Sequence, residues 1–199
     1  MKTLAPLLLA LALTSQAHAA GIGFDDITGP GVPAIADGYA GLDWTNMYSA
    51  DSSTYPYDSG FIWGNVSADR VAFSGPLGSS GFASATDFTF DSVHLTGAWR
   101  DDLNVLVEGY DDGVLMHSVN LVVDLYAPTW FSFGWSSIDS VIFTTSGGVN
   151  AGLRSNGPQL VLDDLLLTPV PEAETWAMLL VGLGVVALQL RNRKLVLAA

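Results

Sequence analysis

The groups in this sequence best placed to do chemistry are carboxylates. Two pairs stand out by position: Asp25-Asp26 near the start of the central region and Asp163-Asp164 near its end. Carboxylates and nearby carbonyls provide the oxygen-only ligands that suit Ca2+, which takes about six to eight of them. If the first and last strands lie side by side, Asp25, Asp26, Asp163 and Asp164 form a candidate structural Ca2+ site. The competing expectation places one Asp of each pair in water and the other at a turn cap. Asp101-Asp102 with Asn104, and Asp111-Asp112-Gly113, read as ordinary turns.

Catalytic arrangements are poorly represented. Nucleophilic or general acid–base chemistry needs a matched pair within reach. Glu108 is the one glutamate between the two chain ends, and its place in an alternating segment suits a solvated strand face. His94 and His117 stand 23 positions apart without the close spacing of a zinc site. No Gly-x-Ser-x-Gly elbow occurs, and the glycine-rich SGPLGSSG stretch does not lead into a helix, so no phosphate loop is expected. The reading is non-enzymatic. Aromatic rings are the other candidates, because sugar rings stack their C–H faces on them. Trp44, Tyr48, Tyr55 and Tyr57 fall in an irregular region, where a rigid scaffold displays binding residues, and they form a candidate carbohydrate site.

The elements that must hold these residues read as strands. Expected strands are Ile22 to Ile27, Phe61 to Trp63 and Val71 to Phe73, with the stretch from Thr28 to Ser59 irregular and rich in turn residues. From Asp87 the pattern sharpens, as Phe88 and Phe90 alternate with polar neighbours in a run reaching Leu95. Leu103 to Tyr110 and Val114 to Leu125 flank Asp111-Asp112-Gly113, a strong hairpin signal because Gly tolerates positive φ. Thr129 to Trp135, Ile138 to Thr145 and Gln159 to Leu167 complete the series. The fold expected is all-β, an antiparallel sandwich of jelly-roll type.

Charge narrows the partners. The chain has seven Lys and Arg and 20 Asp and Glu. Lys2, Arg191, Arg193, Lys194, Glu172 and Glu174 lie in the ends, leaving 18 acids against 3 bases, a net charge of −15. Such a surface repels phosphate backbones, so nucleic acid is excluded as a partner. Cysteine is absent, so stability rests on the core.

Both ends read as addresses. Residues 1–19 have an early Lys2, an apolar run from Leu4 to Leu13 and Ala17-His18-Ala19 as a small-x-small site. That is a secretory signal peptide with a short helix, read by the Sec translocon and cut before Ala20. Residues 20–168 then form one domain, and residues 169–199 a tail. The tail runs from Val170, Pro171 and Glu172 through an apolar helix over residues 176–190 to Arg191, Arg193 and Lys194. Fifteen helical residues reach about 22 Å at about 1.5 Å each, against a hydrocarbon core about 30 Å thick. Trp176 and the basic cluster are interface anchors, and the positive-inside bias puts the central domain outside the cytoplasm.

This order of Pro-Glu, short apolar helix and basic end resembles the PEP-CTERM sorting tail of Gram-negative bacteria. Ala173 stands where that motif has its second proline. The resemblance implies an inner-membrane intermediate, cut near the Pro-Glu by an exosortase-type transpeptidase, and then release to the cell surface or extracellular matrix. It also implies extracellular polysaccharide as the partner. The series of strands from IGFDDI to QLVLDDL is similar to β-sandwich domains of such secreted proteins and to carbohydrate-binding modules of jelly-roll shape. Two rival expectations stand beside it: a polysaccharide-acting glycoside hydrolase or lyase, and a purely structural surface protein.

Overall fold

The computed structural model describes residues 19–76, 78–170 and 180–186. Residues 18–170 form one compact unit, built of β1 (Ala20–Ile22), a 3-10 turn (Tyr39–Gly41), β2 (Asp43–Thr45), β3 (Met47–Asp51), α1 (Gly60–Trp63), β4 (Arg70–Ser74), β5 (Ser80–Gly97), β6 (Arg100–Asp111), β7 (Val114–Val123), β8 (Thr129–Asn150) and β9 (Leu160–Pro169). Every ladder between these strands is antiparallel. They join in the order β3-β4-β9-β5-β8-β6-β7, with β1 on β9 and β2 on β5.

Two long strands turn this connected sheet into a sandwich. β8 pairs with β5 from Thr129 to Phe143, as in Val93 with Phe131, and with β6 from Ser140 to Asn150, as in Asn104 with Ser146, so residues 140–143 have a partner on each side. Gly134 and Ser137, at φ 62° and 55°, let β8 change direction between them. β5 carries register shifts between Ala83 and Ser92. Bends and bulges of this kind are how one strand serves two layers. The main core fills the space enclosed: Phe90, Val93 and Leu95 of β5 and Leu162 and Leu165 of β9 belong to one cluster with Leu103, Val105 and Val107 of β6.

A smaller core lies on the opposite face of β4 and β9. Val71, Phe73 and Val161 pack there with Ala50, Ala98 and Trp99, and α1 contributes Phe61. β4 is consequently buried along its whole length. β9 is buried on both faces too, which explains why QLVLDDLLL shows no simple alternation.

The structure redraws several expected elements. Ile22 to Ile27 is a strand only as far as Ile22, after which Asp25 and Asp26 form a turn. Phe61 to Trp63 belongs to α1 rather than to a strand. Helical backbone turns Phe61 onto Phe73 and Trp99 at ring distances of 4.7 and 5.4 Å. A Cβ on Gly60 would lie 1.9 Å from the Gly97 carbonyl oxygen, so only glycine lets α1 sit this close to β5. The irregular stretch holds β2 and β3, and the two strands expected between Thr129 and Thr145 are one, β8. The hairpin at Asp112-Gly113 forms as expected, with φ of 48° and 76°.

Of the apolar helix expected over residues 176–190, residues 180–186 are helical and exposed, and the remainder lies outside the described residues. Among the described residues no helix is long and apolar enough to cross a membrane. The expected signal helix also lies outside them.

Gly81 of β5 lies close against β8, where a Cβ would meet the Val141 carbonyl oxygen at 2.1 Å. Gly81→Ala is expected to destabilise the domain by about 1–3 kcal/mol through overpacking, measured as a lower urea midpoint with an unchanged m-value.

Candidate functional site

β1 pairs with β9, Ala20 opposite Leu167 and Ile22 opposite Leu165, so the first and last strands do lie side by side. The four acids near this junction hold different groups, although Asp25 and Asp163 both reach Ser67. Asp163 is 0% exposed, and its carboxylate is a main-chain clamp. Oδ2 accepts N–H bonds from Val66 at 2.6 Å and Ser67 at 2.9 Å, while Oδ1 accepts from Asp164 N–H at 2.8 Å and the Ser67 hydroxyl at 3.0 Å. Burial raises the carboxyl above its ordinary value of 3.8, and the bonds from Val66, Ser67 and Asp164 offset only part of that.

A bulge explains why Asp163 points inward and Asp164 does not. The register of β9 on β5 shifts between Ser92 and His94, and Asp164 takes a φ of 48°. The extra residue keeps Leu162 and Leu165 on the main-core face, while Asp163 shares the other face with Val161. Asp164 is left exposed.

Asp25 does a related job from the opposite side of the same loop. Its Oδ1 accepts the N–H groups of Asp69 at 2.8 Å and Arg70 at 2.9 Å. Partial burial pushes this carboxyl up, but the bonds from Arg70, Asp69 and Ser67 outweigh it and hold the group below 3.8. Asp26 accepts the Tyr39 hydroxyl at 2.7 Å. Burial, the bond to Asp26 and the charges of Asp26 and Asp25 raise the Tyr39 phenol well above its usual range. The partners of Asp25 and Asp163 are thus N–H and O–H donors. Carboxylates converge instead at the hairpin end, where ligand atoms of Asp111, Asp112 and Asp139 lie within 4.8 Å of one another. The turn reading of Asp111 and Asp112 did not anticipate Asp139, which the register of β8 brings alongside.

The expected aromatic site is divided between surface and core. Trp44 is 6% exposed; its Nε1–H donates to the Tyr39 carbonyl and its ring packs on Phe24 and Phe82. It serves the core, because β2 lays it inward over β5 rather than leaving it on a loop. Tyr48 stacks on Phe73, and Tyr55 packs on Phe61 at 4.7 Å; both lean on the smaller core. Tyr57 is 42% exposed and carries the Arg154 guanidinium 5.1 Å from its ring centre. Tyr39 stands outside the expected set; its ring packs against both Phe24 and Trp44, with its hydroxyl at the surface.

At the far end of the unit Val170 donates its N–H to the Asp87 carbonyl at 3.0 Å, holding the chain on β5 just beyond the last residue of β9. Residues 169–194 match the family described as the PEP-CTERM protein-sorting motif. The chain carries a PEP-CTERM sorting motif. That motif implies an exported protein, sorted through the membrane and processed by exosortase, a membrane transpeptidase. The PEP-CTERM segment thus begins where the sheet ends, with Pro169 in β9 and Val170 bonded to β5. Its other expected residues, Pro171, Glu172, Arg191, Arg193 and Lys194, lie outside the described residues, as does Ala17 of the expected signal site. Ala19 and Ala20 are exposed, Ala20 as the first residue of β1. No curated protein matches the chain.

Two substitutions test the clamps. Asp163→Asn keeps the volume but turns an amide N–H2 toward main-chain donors whichever way it is placed; the expected loss is about 1–3 kcal/mol in denaturant unfolding. For Asp25 the folded-state value lies below the unfolded 3.8. Its contribution is therefore complete above that pH and lost as pH falls through the folded value. The gap in unfolding midpoint between the wild type and Asp25→Asn should be present at pH 6 and shrink as the pH is taken below 3.8.

Proposed function

We propose that this is a non-enzymatic protein of the cell surface or extracellular matrix, held in the inner membrane by its tail until processing and then associated with extracellular polysaccharide through its β-sandwich. The observation that carries this reading is the PEP-CTERM motif following directly on β9, which places one folded β unit immediately ahead of a sorting signal. Further support comes from the unit's charge of −15, which disfavours nucleic acid and leaves partners that present hydroxyl or cationic groups. Glu108 also supports the non-enzymatic part. It sits half-exposed in the middle of β6, opposite Ser118 and Ile142, as a sheet-surface residue does. The mature form on this reading starts at Ala20 and ends near Glu172, with Ala173 tolerated at the position after the Pro-Glu.

The test is the intact mass of the protein recovered from producing cells and from their matrix, with co-sedimentation of the mature form on the native polysaccharide. Expected are a matrix form starting at Ala20 and ending near Glu172, and retention on the polysaccharide without shortening of its chains. A mass extending to Ala199 in the matrix fraction would overturn processing. Depolymerisation of the glycan would replace the binding role with a hydrolase or lyase.

A further inference from the structure

Two clefts open beside β1 and meet at Ile22 and Ala40, which line both. One, of about 380 Å3, is bounded by Gly21, Gly23, Asp25, Asp26 and Tyr39. The other, of about 230 Å3, continues past Leu42 and Phe88 to Ser84, Thr86 and Asp87. Together they form a track with acidic residues at both ends and an apolar middle. Its walls are set before any ligand arrives. The Tyr39 ring is fixed against Phe24 and Trp44, and its hydroxyl proton is directed to Asp26. Phe24 and Ala40 hold positive φ of 64° and 54° on the same walls, a conformation that bulky residues keep only where the surroundings impose it. Preorganisation of this kind lowers the ordering cost of binding.

The polar groups presented at the Tyr39 end are chiefly acceptors, whereas the Ser84 and Thr86 hydroxyls of the other cleft both donate and accept. The Tyr39 proton is already used, leaving the hydroxyl lone pairs, and Asp26 has a second oxygen beyond the one that receives it. A ligand must therefore bring donors to the Tyr39 end, along with an apolar C–H surface for Ile22 and Leu42. Acidic residues at both ends, on a unit of charge −15, repel anions. We infer that this double cleft is a saccharide subsite for sugar units that present hydroxyl or ammonium donors, and that it rejects uronate-bearing chains. This rests on the polysaccharide association proposed above and adds the sugar class and the residues that read it.

The exported, processed protein, labelled with 15N, is titrated by NMR with a neutral glucan oligosaccharide, a chito-oligosaccharide bearing free amines and an alginate oligosaccharide. Expected are amide shifts at Gly21, Gly23, Ala40 and Gly41 with the first or the second and none with alginate; which of the two binds tells hydroxyl from ammonium recognition. Asp26→Asn and Tyr39→Phe should each weaken that binding by about tenfold, since each removes one side of the acceptor pair, while Tyr39→Phe keeps the ring packing. Shifts confined to another surface, such as that around Tyr57, would overturn the site while leaving polysaccharide association standing. Alginate binding at the cleft would overturn it as well, as would the absence of shifts with all three. Co-sedimentation with the native polysaccharide judges the wider reading separately. If a variant loses its fold, the amide map of the unaltered protein decides.

Discussion

The sheet depends on accommodating a buried carboxylate in the strand that is covered on both faces. β9 lies between β4 and β5, with the main core on one side and the smaller aromatic core on the other. A charged residue there is tolerated only if its oxygens are satisfied. Asp163 meets the condition by drawing the segment after α1 across the strand, through Val66 and Ser67, residues 97 and 96 positions away in sequence. Asp25 holds the same segment from the β1 side through Asp69 and Arg70. Asn65 adds a third tie, its side-chain amide donating to the Ser52 hydroxyl and the Ala68 carbonyl. One loop thus connects the turn after the first strand, the last strand and Ser52 just beyond β3, and β4 starts from it in a fixed position.

The same economy shapes the outer surface. With three bases in the unit, acids outside the core have few cationic partners, and they turn to main-chain and hydroxyl donors instead. Asp51 accepts from Ser53 and Thr54, Asp139 from Asp112 N–H, and Asp91 from Thr168. Asp suits this work because its short side chain reaches nearby backbone, which is also why it replaces Glu almost throughout. Where such donors are missing, repulsion accumulates. Burial and the charges of Asp87, Asp112 and Asp139 raise the Asp111 carboxyl above its ordinary value. The domain is built to be stable without disulfides and strongly anionic, and its last strand leads directly into the sorting segment.

Much of this was legible in the sequence. β6, β7 and the first part of β8 follow from alternation and from the Asp-Gly turn, because both signals are local: side chains alternate every residue, and only certain residues accept positive φ. The sorting tail was legible for a similar reason, being a linear order of Pro-Glu, apolar run and basic end that needs no partner to be recognised. The first third was harder. β2 and β3 are three and five residues long, too short for periodicity to emerge from the turn residues around them. α1 is a single turn, and its apolar residues read equally well as a strand.

The sequence by itself determined the class of the fold, its antiparallel hairpin, the excess of acid and the signal that follows the last strand. Only the tertiary structure decided what each chosen residue does. The Asp25-Asp26 and Asp163-Asp164 pairs look alike in sequence, yet a bulge at Asp164 sends Asp163 inward and leaves its neighbour in water. Trp44 looks like a loop aromatic, yet pairing of β2 with β5 packs it into the core and leaves Tyr39 beside the cleft. The physical reason is the same in each case. Which way a side chain points depends on strand register, and register is set by pairing with residues far away in the chain, so no local pattern contains it.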